Sequence, residues 1–278
     1  MKNLIIFFFD GSPKTGKFVL EKAGKNLTPV SLELGGKSPC IIDETADLKS
    51  AAKQIVCGKF SNAGQTCAAP DYLLVQHNVK KKLIHYMEKQ IQKLYGEDPI
   101  LDESYPSIIN EKHFKRICGL IDRGKVIYGG KTDGFRLKIE PTLMDGVTWD
   151  DIVMREEVFG PLLPIVTYYD LREAVSAIKA QTKPLVLYLF TKNKQREAYI
   201  LKELSYGKGC GSHTEVHLAV PYFMSGEIGL SGKGKYHGKA NFERFAREKK
   251  RLKQVFFLEM PLTSTLLKTQ LKWIKKWM

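Results

Sequence analysis

The 278-residue chain is 43% hydrophobic and 27% charged, the profile of a soluble globular protein with room for one large or two ordinary domains. Its net charge of +14 suggests a nucleic-acid partner until it is mapped: residues 249–278 hold eight Lys/Arg against one acid, Glu259, so half the excess sits in the tail and no nucleic-acid partner is expected. Five cysteines (Cys40, Cys57, Cys67, Cys118 and Cys210), with no CxxC and no zinc-finger spacing, exclude a disulfide framework and a structural zinc and place the chain in a reducing cytosol.

In chain order, Leu4–Phe9 is a continuous apolar run too short for a signal peptide, and no small-residue cleavage site follows it. It reads as a strand buried on both faces of a parallel sheet. No run of 18 apolar residues exists to span a membrane as a helix. In GSPKTGK, Gly11 and Gly16 bracket a turn, and Phe18–Lys25 reads as helix. Strand, glycine turn and helix present backbone N–H groups to a phosphate, although many such turns carry two glycines for purely structural reasons. In Thr28–Ile42 apolar residues alternate through Val30, Leu32 and Leu34, which puts Glu33 on the opposite side before a sharp Gly35-Gly36 turn. Glu33 reads either as a carboxylate facing a cleft or as an ordinary solvated glutamate.

Asp47 is positioned to cap a helix running to Phe60 with a buried stripe through Leu48, Ala52, Ile55, Val56 and Lys59–Phe60. That helix delivers the chain to Ser61–Tyr72, where Gly64 ends the helical pattern and Pro70 releases the chain into a strand, YLLVQ. Cys67, flanked by Thr66 and Ala68, is open to a small substrate. It reads as a nucleophilic thiolate or as a merely buried or exposed thiol. Helices are expected over Val79–Leu94 and Glu111–Asp122, and a short strand opens 126–130. In Asp151–Pro164, two adjacent carboxylates cannot face one side of an extended chain. One of Glu156 and Glu157 is therefore solvated or paired with Arg155, and the other faces a ligand. The β-α-β-α pattern of 163–204 implies a largely parallel sheet with right-handed crossovers. The glycine-rich stretch after Tyr206 reads as a loop closing over something or reaching a partner. In the tail, apolar residues at 267, 271, 274 and 278 with intervening lysines form a helix that either lies on a membrane surface or packs on the body or a second subunit.

GSPKTG, LTPVSLELGGKSPC, NAGQTCAAPDY, EEVFGPLLPI and SGKGKYHGK occur in the order and approximate spacing of NAD(P)-dependent aldehyde dehydrogenases. The chain resembles their class 3, or fatty-aldehyde, branch from Ile5 to about Phe245. The resemblance implies an α/β fold: a catalytic domain with a mostly parallel sheet and flanking helices at 34–217, preceded at 1–33 by a remnant of the dinucleotide-binding domain. Late loops, an oligomerisation segment and the basic tail would fill 218–278. It implies oxidation of an aldehyde to a carboxylic acid with NAD or NADP and without a metal. Cys67 then matches the nucleophile and Glu33 the general base. Glu157 matches the cofactor-ribose ligand, Phe159 and Gly35 the residues beside the nicotinamide, and Gly11, Ser12 and Gly16 the turn at the pyrophosphate. A cytoplasmic homodimer is implied, and the basic tail adds a peripheral membrane contact.

The sequence also departs from that family. Family chains carry a long portion ahead of the first strand, with most of the cofactor sheet and the asparagine that completes the oxyanion hole. The expectation is therefore an enzyme that depends on that portion, or alternatively an inactive fragment serving as a dimerisation or interaction module. Either would leave an apolar sheet edge open at the first strand. Asp10 stands for the usual threonine, Ser212 and His213 for an Asn-Asp pair, and Ser225 and Glu227 for a phenylalanine and a glycine.

Overall fold

A computed structural model describes residues 6–214, 225–226, 228–236 and 239–246. Contacts divide the chain into two units, Met1–Phe245 and Ala246–Met278. The second unit, with the basic tail helix expected there, lies outside the described residues except for Ala246. Residues 215–224, 227 and 237–238 of the glycine-rich stretch lie outside them as well.

The chain opens with β1 (Phe7–Gly11), α1 (Pro13–Gly24) and β2 (Val30–Leu34). The two strands pair in parallel, and α1 packs Val19 and Ala23 onto Val30, Leu32 and Leu34. The helix starts five residues ahead of the apolar pattern at Phe18. Ser12 caps it, its hydroxyl accepting the Thr15 N–H at 3.3 Å, and Pro13 is already fixed at a helical φ. Gly16 is explained by packing: a Cβ there would stand 2.7 Å from a Leu34 methyl.

There follow β3 (Pro39–Ile42), α2 (Leu48–Phe60), β4 (Tyr72–Gln76), α3 (His77–Tyr95), α4 (Glu111–Cys118) and β5 (Val126–Tyr128). A two-stranded excursion, β6 (Thr132–Asp133) and β7 (Lys138–Ile139), leads to β8 (Thr142–Met144) and a single helical turn, α5 (Ile152–Arg155). Then come β9 (Leu162–Tyr168), α6 (Leu171–Lys179), β10 (Val186–Phe190), α7 (Lys194–Glu203) and β11 (Lys208–Gly211). Short pieces close the described chain: β12 (Ser225–Gly226), β13 (Gly232–Lys233), β14 (Lys235–Tyr236) and α8 (Lys239–Phe245). The expected parallel sheet is present. Seven strands run in the order β11-β10-β3-β4-β9-β8-β5, parallel throughout except for β5.

Both faces of that sheet are covered, as a parallel sheet requires. Cys40, Ile42, Leu73 and Val75 face α2 and α3 through Ile55, Leu83 and Met87. Ile41, Leu74, Val166 and Leu187 face the other way, onto Phe114, Ile117, Val175 and Ile200 of α4, α6 and α7. The alternation within each strand divides one sheet between two cores. β2 and β1 form a second sheet with β13, antiparallel to β2.

The outer edge of β1 has no strand partner among the described residues. Phe18 of α1 and Leu27 after it, in the same unit, are 57% and 90% exposed, and Phe7, Phe8 and Phe9 of β1 are partly exposed. No helix among the described residues is long and apolar enough to cross a membrane.

Helix α2 carries the chain to the Cys67 loop, and Asp47 caps it as expected, accepting the Ser50 N–H at 3.1 Å. Asp47→Ala is expected to cost ~1 kcal/mol of folding stability, and Ile55→Ala, at a fully buried position on the same helix, about 2–5 kcal/mol. Urea titration of the two variants checks both the size and the order.

Candidate active site

Cys67 lies ahead of the N-terminal end of β4, on a loop that is held from several sides. The turn Ser61–Gly64 puts Asn62, Ala63 and Gly64 in the left-handed region, at φ 49°, 50° and 72°. Gly64 has no alternative, because a Cβ would stand 2.2 Å from the Gly160 carbonyl oxygen. Gln65 anchors the next step: its amide accepts the Ile109 N–H at 2.9 Å and donates to the Ser107 carbonyl at 3.1 Å. The Tyr188 hydroxyl donates to the Ala68 carbonyl from the sheet below. Cys67 itself is half-buried and packs against the core beside α2 and α3. Two left-handed non-glycine residues just ahead of a half-buried thiol mark a loop over-determined by its surroundings, as binding and catalytic loops often are.

Glu33 is not a solvated glutamate. All of β2 is buried, Glu33 included at 5% exposure. In strand register it stands between Asp10 of β1 and Gly232 of β13. Its carboxylate lies 3.8 Å from the Lys208 ammonium, in an ion pair whose side chains are 6% and 3% exposed. The two residues belong to different sheets. The site is thus a seam: the C-terminal ends of β1 and β2 on one side, the loop before β4 and the start of β11 on the other.

The Cys67 thiol feels this seam. Burial pushes it up to about 11, and the carboxylates of Glu33, Asp10 and Glu157 add to the rise, while Lys208 opposes it. Burial also raises Asp10 above the usual carboxylate range. Three acidic side chains from widely separated segments therefore act on the one thiol.

Glu157 turns inward. Its carboxyl lies against the Gly35-Gly36 turn, where a Cβ on Gly35 would fall 1.7 Å from Glu157 Oε2, and it accepts a backbone hydrogen bond from Gly36. Burial first, and then the neighbouring Asp71 carboxylate, raise it to about 8. Glu156 is the solvated member of the pair, and its partner is Arg116 at 3.2 Å rather than Arg155. Arg116 also donates to the Glu157 and Val158 carbonyls at 3.2 and 2.6 Å, and so clamps the segment. Phe159 is 37% exposed and held at φ 43°, an uncommon conformation for a bulky side chain.

Behind Glu157 lies a charged cluster that sequence reasoning missed. Asp71 accepts from the Lys37 ammonium and from the Val158 N–H at 2.9 Å. Lys37 also donates to the Val153 and Glu156 carbonyls, each at 2.9 Å. Lys59 is wholly buried, its ammonium has no hydrogen-bond partner among the described residues, and Asp71 stands 4.0 Å away. Burial lowers it to about 8. Lys37 and Asp71 were in view inside the ELGGK and APDY segments, and Lys59 stood on the apolar stripe of α2, where a lysine is out of place. Lys208 carried no local signal: its partner is far away in sequence.

Gly11 and Ser12 lie at the β1–α1 turn and Gly16 is a buried residue of α1, whose N-terminal part carries exposed Lys14 and Lys17. A helix N-terminus with lysines suits a phosphate. A cavity of about 440 Å³ opens between β10, β11 and α7, lined by Leu187, Leu201, Tyr206, Lys208 and Cys210, with Cys67 outside it. Among the described residues no group of three or more His, Cys, Asp or Glu side chains could hold a metal ion.

The chain matches the aldehyde dehydrogenase family over residues 2–250. It is 44% identical over 270 residues to 4,4'-diaponeurosporen-aldehyde dehydrogenase of Staphylococcus aureus, covering 96% of this chain and 59% of that protein. It is 43% identical to the dimeric NADP-preferring aldehyde dehydrogenase of Rattus norvegicus, covering 87% and 53%. A solved structure, the substrate-bound state of Staphylococcus aureus AldH, superposes with a TM-score of 0.91 at 43% identity, over 98% of this chain and 60% of that one. The chain thus spans between half and three-fifths of the length of these relatives.

Two predictions follow from the buried charges. Asp71→Asn strands the Lys37 and Lys59 ammonium groups and is expected to cost about 3–5 kcal/mol, whereas Lys59→Met is expected to be neutral or stabilising; urea midpoints compare them. Glu157 has its folded-state pKa raised from 4.5 to about 8. Its contribution to stability is complete below the unfolded value and lost as pH rises towards 8. Wild type should therefore lose stability between pH 5 and pH 8 relative to Glu157→Gln, as read from urea midpoints at the two pH values.

Proposed function

The chain belongs to the aldehyde dehydrogenase family, and we propose that Cys67 and Glu33 carry the chemistry its relatives are named for, oxidation of an aldehyde to a carboxylic acid with NAD or NADP. The observation that supports this best is the electrostatic coupling of the Cys67 thiol to the Glu33 carboxylate, 34 residues away in sequence. A nucleophile and a base at one seam are what formation and hydrolysis of an acyl-enzyme need. The residues present fit the cofactor at two points. Gly11, Ser12 and Gly16, with the N-terminus of α1, suit its pyrophosphate. Glu157, Gly35 and Phe159 suit the nicotinamide-ribose end, where a protonated Glu157 carboxyl both donates and accepts hydrogen bonds. In this reading the small sheet belongs to the cofactor and the large sheet to catalysis.

NAD or NADP, when bound, supplies the hydride acceptor. The work of the chain's own residues is as follows. Cys67 gives up its thiol proton to solvent and adds as thiolate, through Sγ, to the carbonyl carbon, and the Cys67 backbone N–H donates to the developing oxyanion. After oxidation the acyl group remains on Sγ as a thioester. Glu33 takes a proton from the water that adds to it, and the carboxylic acid leaves as the sulfur is released. A homodimer belongs to the same reading, in keeping with the word dimeric in the name of the rat relative. A second reading, a non-catalytic interaction module, is favoured by the open edge of β1 and by a thiol whose ionisation is suppressed.

Titration calorimetry of Cys67→Ala with NAD and NADP, followed by turnover of the wild-type chain with medium-chain aldehydes, separates the two. The first reading expects micromolar binding, reduced cofactor from wild type, none from Cys67→Ala, and an acyl adduct on Cys67 that accumulates in Glu33→Gln. No binding at millimolar cofactor, with self-association in sedimentation, is the result expected of the second.

A further inference from the structure

A site that must carry a thiolate has three acidic side chains acting to keep it protonated: Glu33 on β2, Asp10 on β1 and Glu157 ahead of β9. Among the described residues one cation acts against them on the thiol, Lys208. Its placement is firm. It opens β11 in register with Val186 of β10, and its backbone N–H donates to the Leu185 carbonyl at 2.8 Å. From that strand of the large sheet the side chain runs through buried surroundings to the small sheet, where its ammonium lies 3.8 Å from Glu33 Oε1. At that separation the contact is Coulombic rather than a hydrogen bond, and with both side chains almost wholly buried it is little screened.

We propose that Lys208 is a positioning residue of the site: carried by the large sheet, its ammonium pairs with the Glu33 carboxylate of the small sheet across the seam and supplies the positive charge against which the thiolate forms. The proposal rests on the reading of Cys67 as nucleophile and Glu33 as base. It adds a third residue that touches neither substrate nor cofactor and acts through those two. A lysine that merely neutralised a buried glutamate would matter to folding alone. One that balances the charge around the thiol must also move the ionisation of Cys67, since charges within a few ångströms in a desolvated setting shift a pKa in proportion to their number and sign.

The test needs neither cofactor nor aldehyde. The rate of iodoacetamide modification of Cys67 is followed against pH by mass spectrometry of the Cys67 peptide, in the full chain. Lys208→Met is expected to move the midpoint up and slow modification at pH 8 about 3–10-fold, a shift of roughly half to one pKa unit. Lys208→Arg is expected to restore the midpoint, because it restores the charge. Glu33→Gln is expected to move the midpoint down, because it removes a carboxylate and leaves the ammonium. A folded Lys208→Met whose midpoint coincides with wild type, with only its melting temperature lowered, overturns the proposal. Should Lys208→Met not fold, Glu33→Gln decides: a midpoint unmoved in that variant overturns it equally. Failure of turnover with aldehydes counts against the dehydrogenase reading and leaves this result untouched. Normal turnover with an unmoved midpoint sinks only the role of Lys208.

Discussion

The Asp71 carboxylate is the contact on which the arrangement of the site depends. It lies at the foot of β4, four residues after Cys67, and binds at once the Lys37 ammonium that follows the Gly35-Gly36 turn and the Val158 N–H that follows Glu157. Three segments far apart in sequence are thereby tied to one side chain. Lys37 extends the tie by donating to two carbonyls of the Val153–Glu156 segment. The arrangement is costly in isolation, because charges taken out of water recover their hydration only through good geometry. Two of the three positive or negative ends are well satisfied; Lys59, with no hydrogen bond, is the one that is not. An excess of buried charge that does little for stability, set behind Glu157, is more readily understood as a means of fixing geometry than as a source of folding energy.

Burial and like charge act together on both ionisable groups at the seam, and in the same direction. Cys67 is pushed up to about 11 and Glu157 to about 8, and burial raises Asp10 as well. The resting seam therefore favours the neutral thiol. A thiol in that state is a poor nucleophile and a poor target for oxidation. Positive charge brought to the seam would change it, and the two sources are Lys208, which is built in, and whatever cationic group binds there.

Much of the fold was legible because strong local signals agreed. The alternation in β2, the Asp47 cap and the apolar stripe of α2, and the strand-helix sequence of 163–204 each needed only nearest neighbours along the chain. Boundaries slipped where capping overrode apolar spacing: Ser12 and Pro13 start α1 ahead of Phe18, and α4 stops at Cys118, before Gly119. At the site, Cys67 and Glu33 were legible from their motifs, but the state of Glu33 was not. An alternating strand puts a polar residue on the face away from the core, and that rule assumes the other face is wet. Here β13, β1 and Lys208 cover it, so a side chain expected in solvent is buried. Arg116 was missed for a related reason. Its fork reaches Glu156 and two carbonyls about 40 residues on, and nothing in the local pattern of α4 distinguishes it from a solvated arginine.

The burial of Glu33 also bears on how the site divides its work between two sheets. The large sheet is closed on both faces by helices and is the rigid half; it carries Lys208 and, through Tyr188 and β4, the Cys67 loop. Among the described residues the small sheet has a core of only a few residues and an edge at β1 without a strand partner; it carries Glu33 and Asp10. Glu33 on the less supported half is positioned relative to Cys67 on the more supported half only as well as the contacts across the seam allow. Displacements of an ångström matter greatly wherever two side chains must react together. The Lys208–Glu33 ion pair crosses that seam, and with Glu157 packed on the Gly35-Gly36 turn it bounds the seam on two sides. The placement of Cys67 and Glu33 is thus set by contacts between the sheets rather than within either one, which is why the residues that matter most to it are charged, buried and distant in sequence.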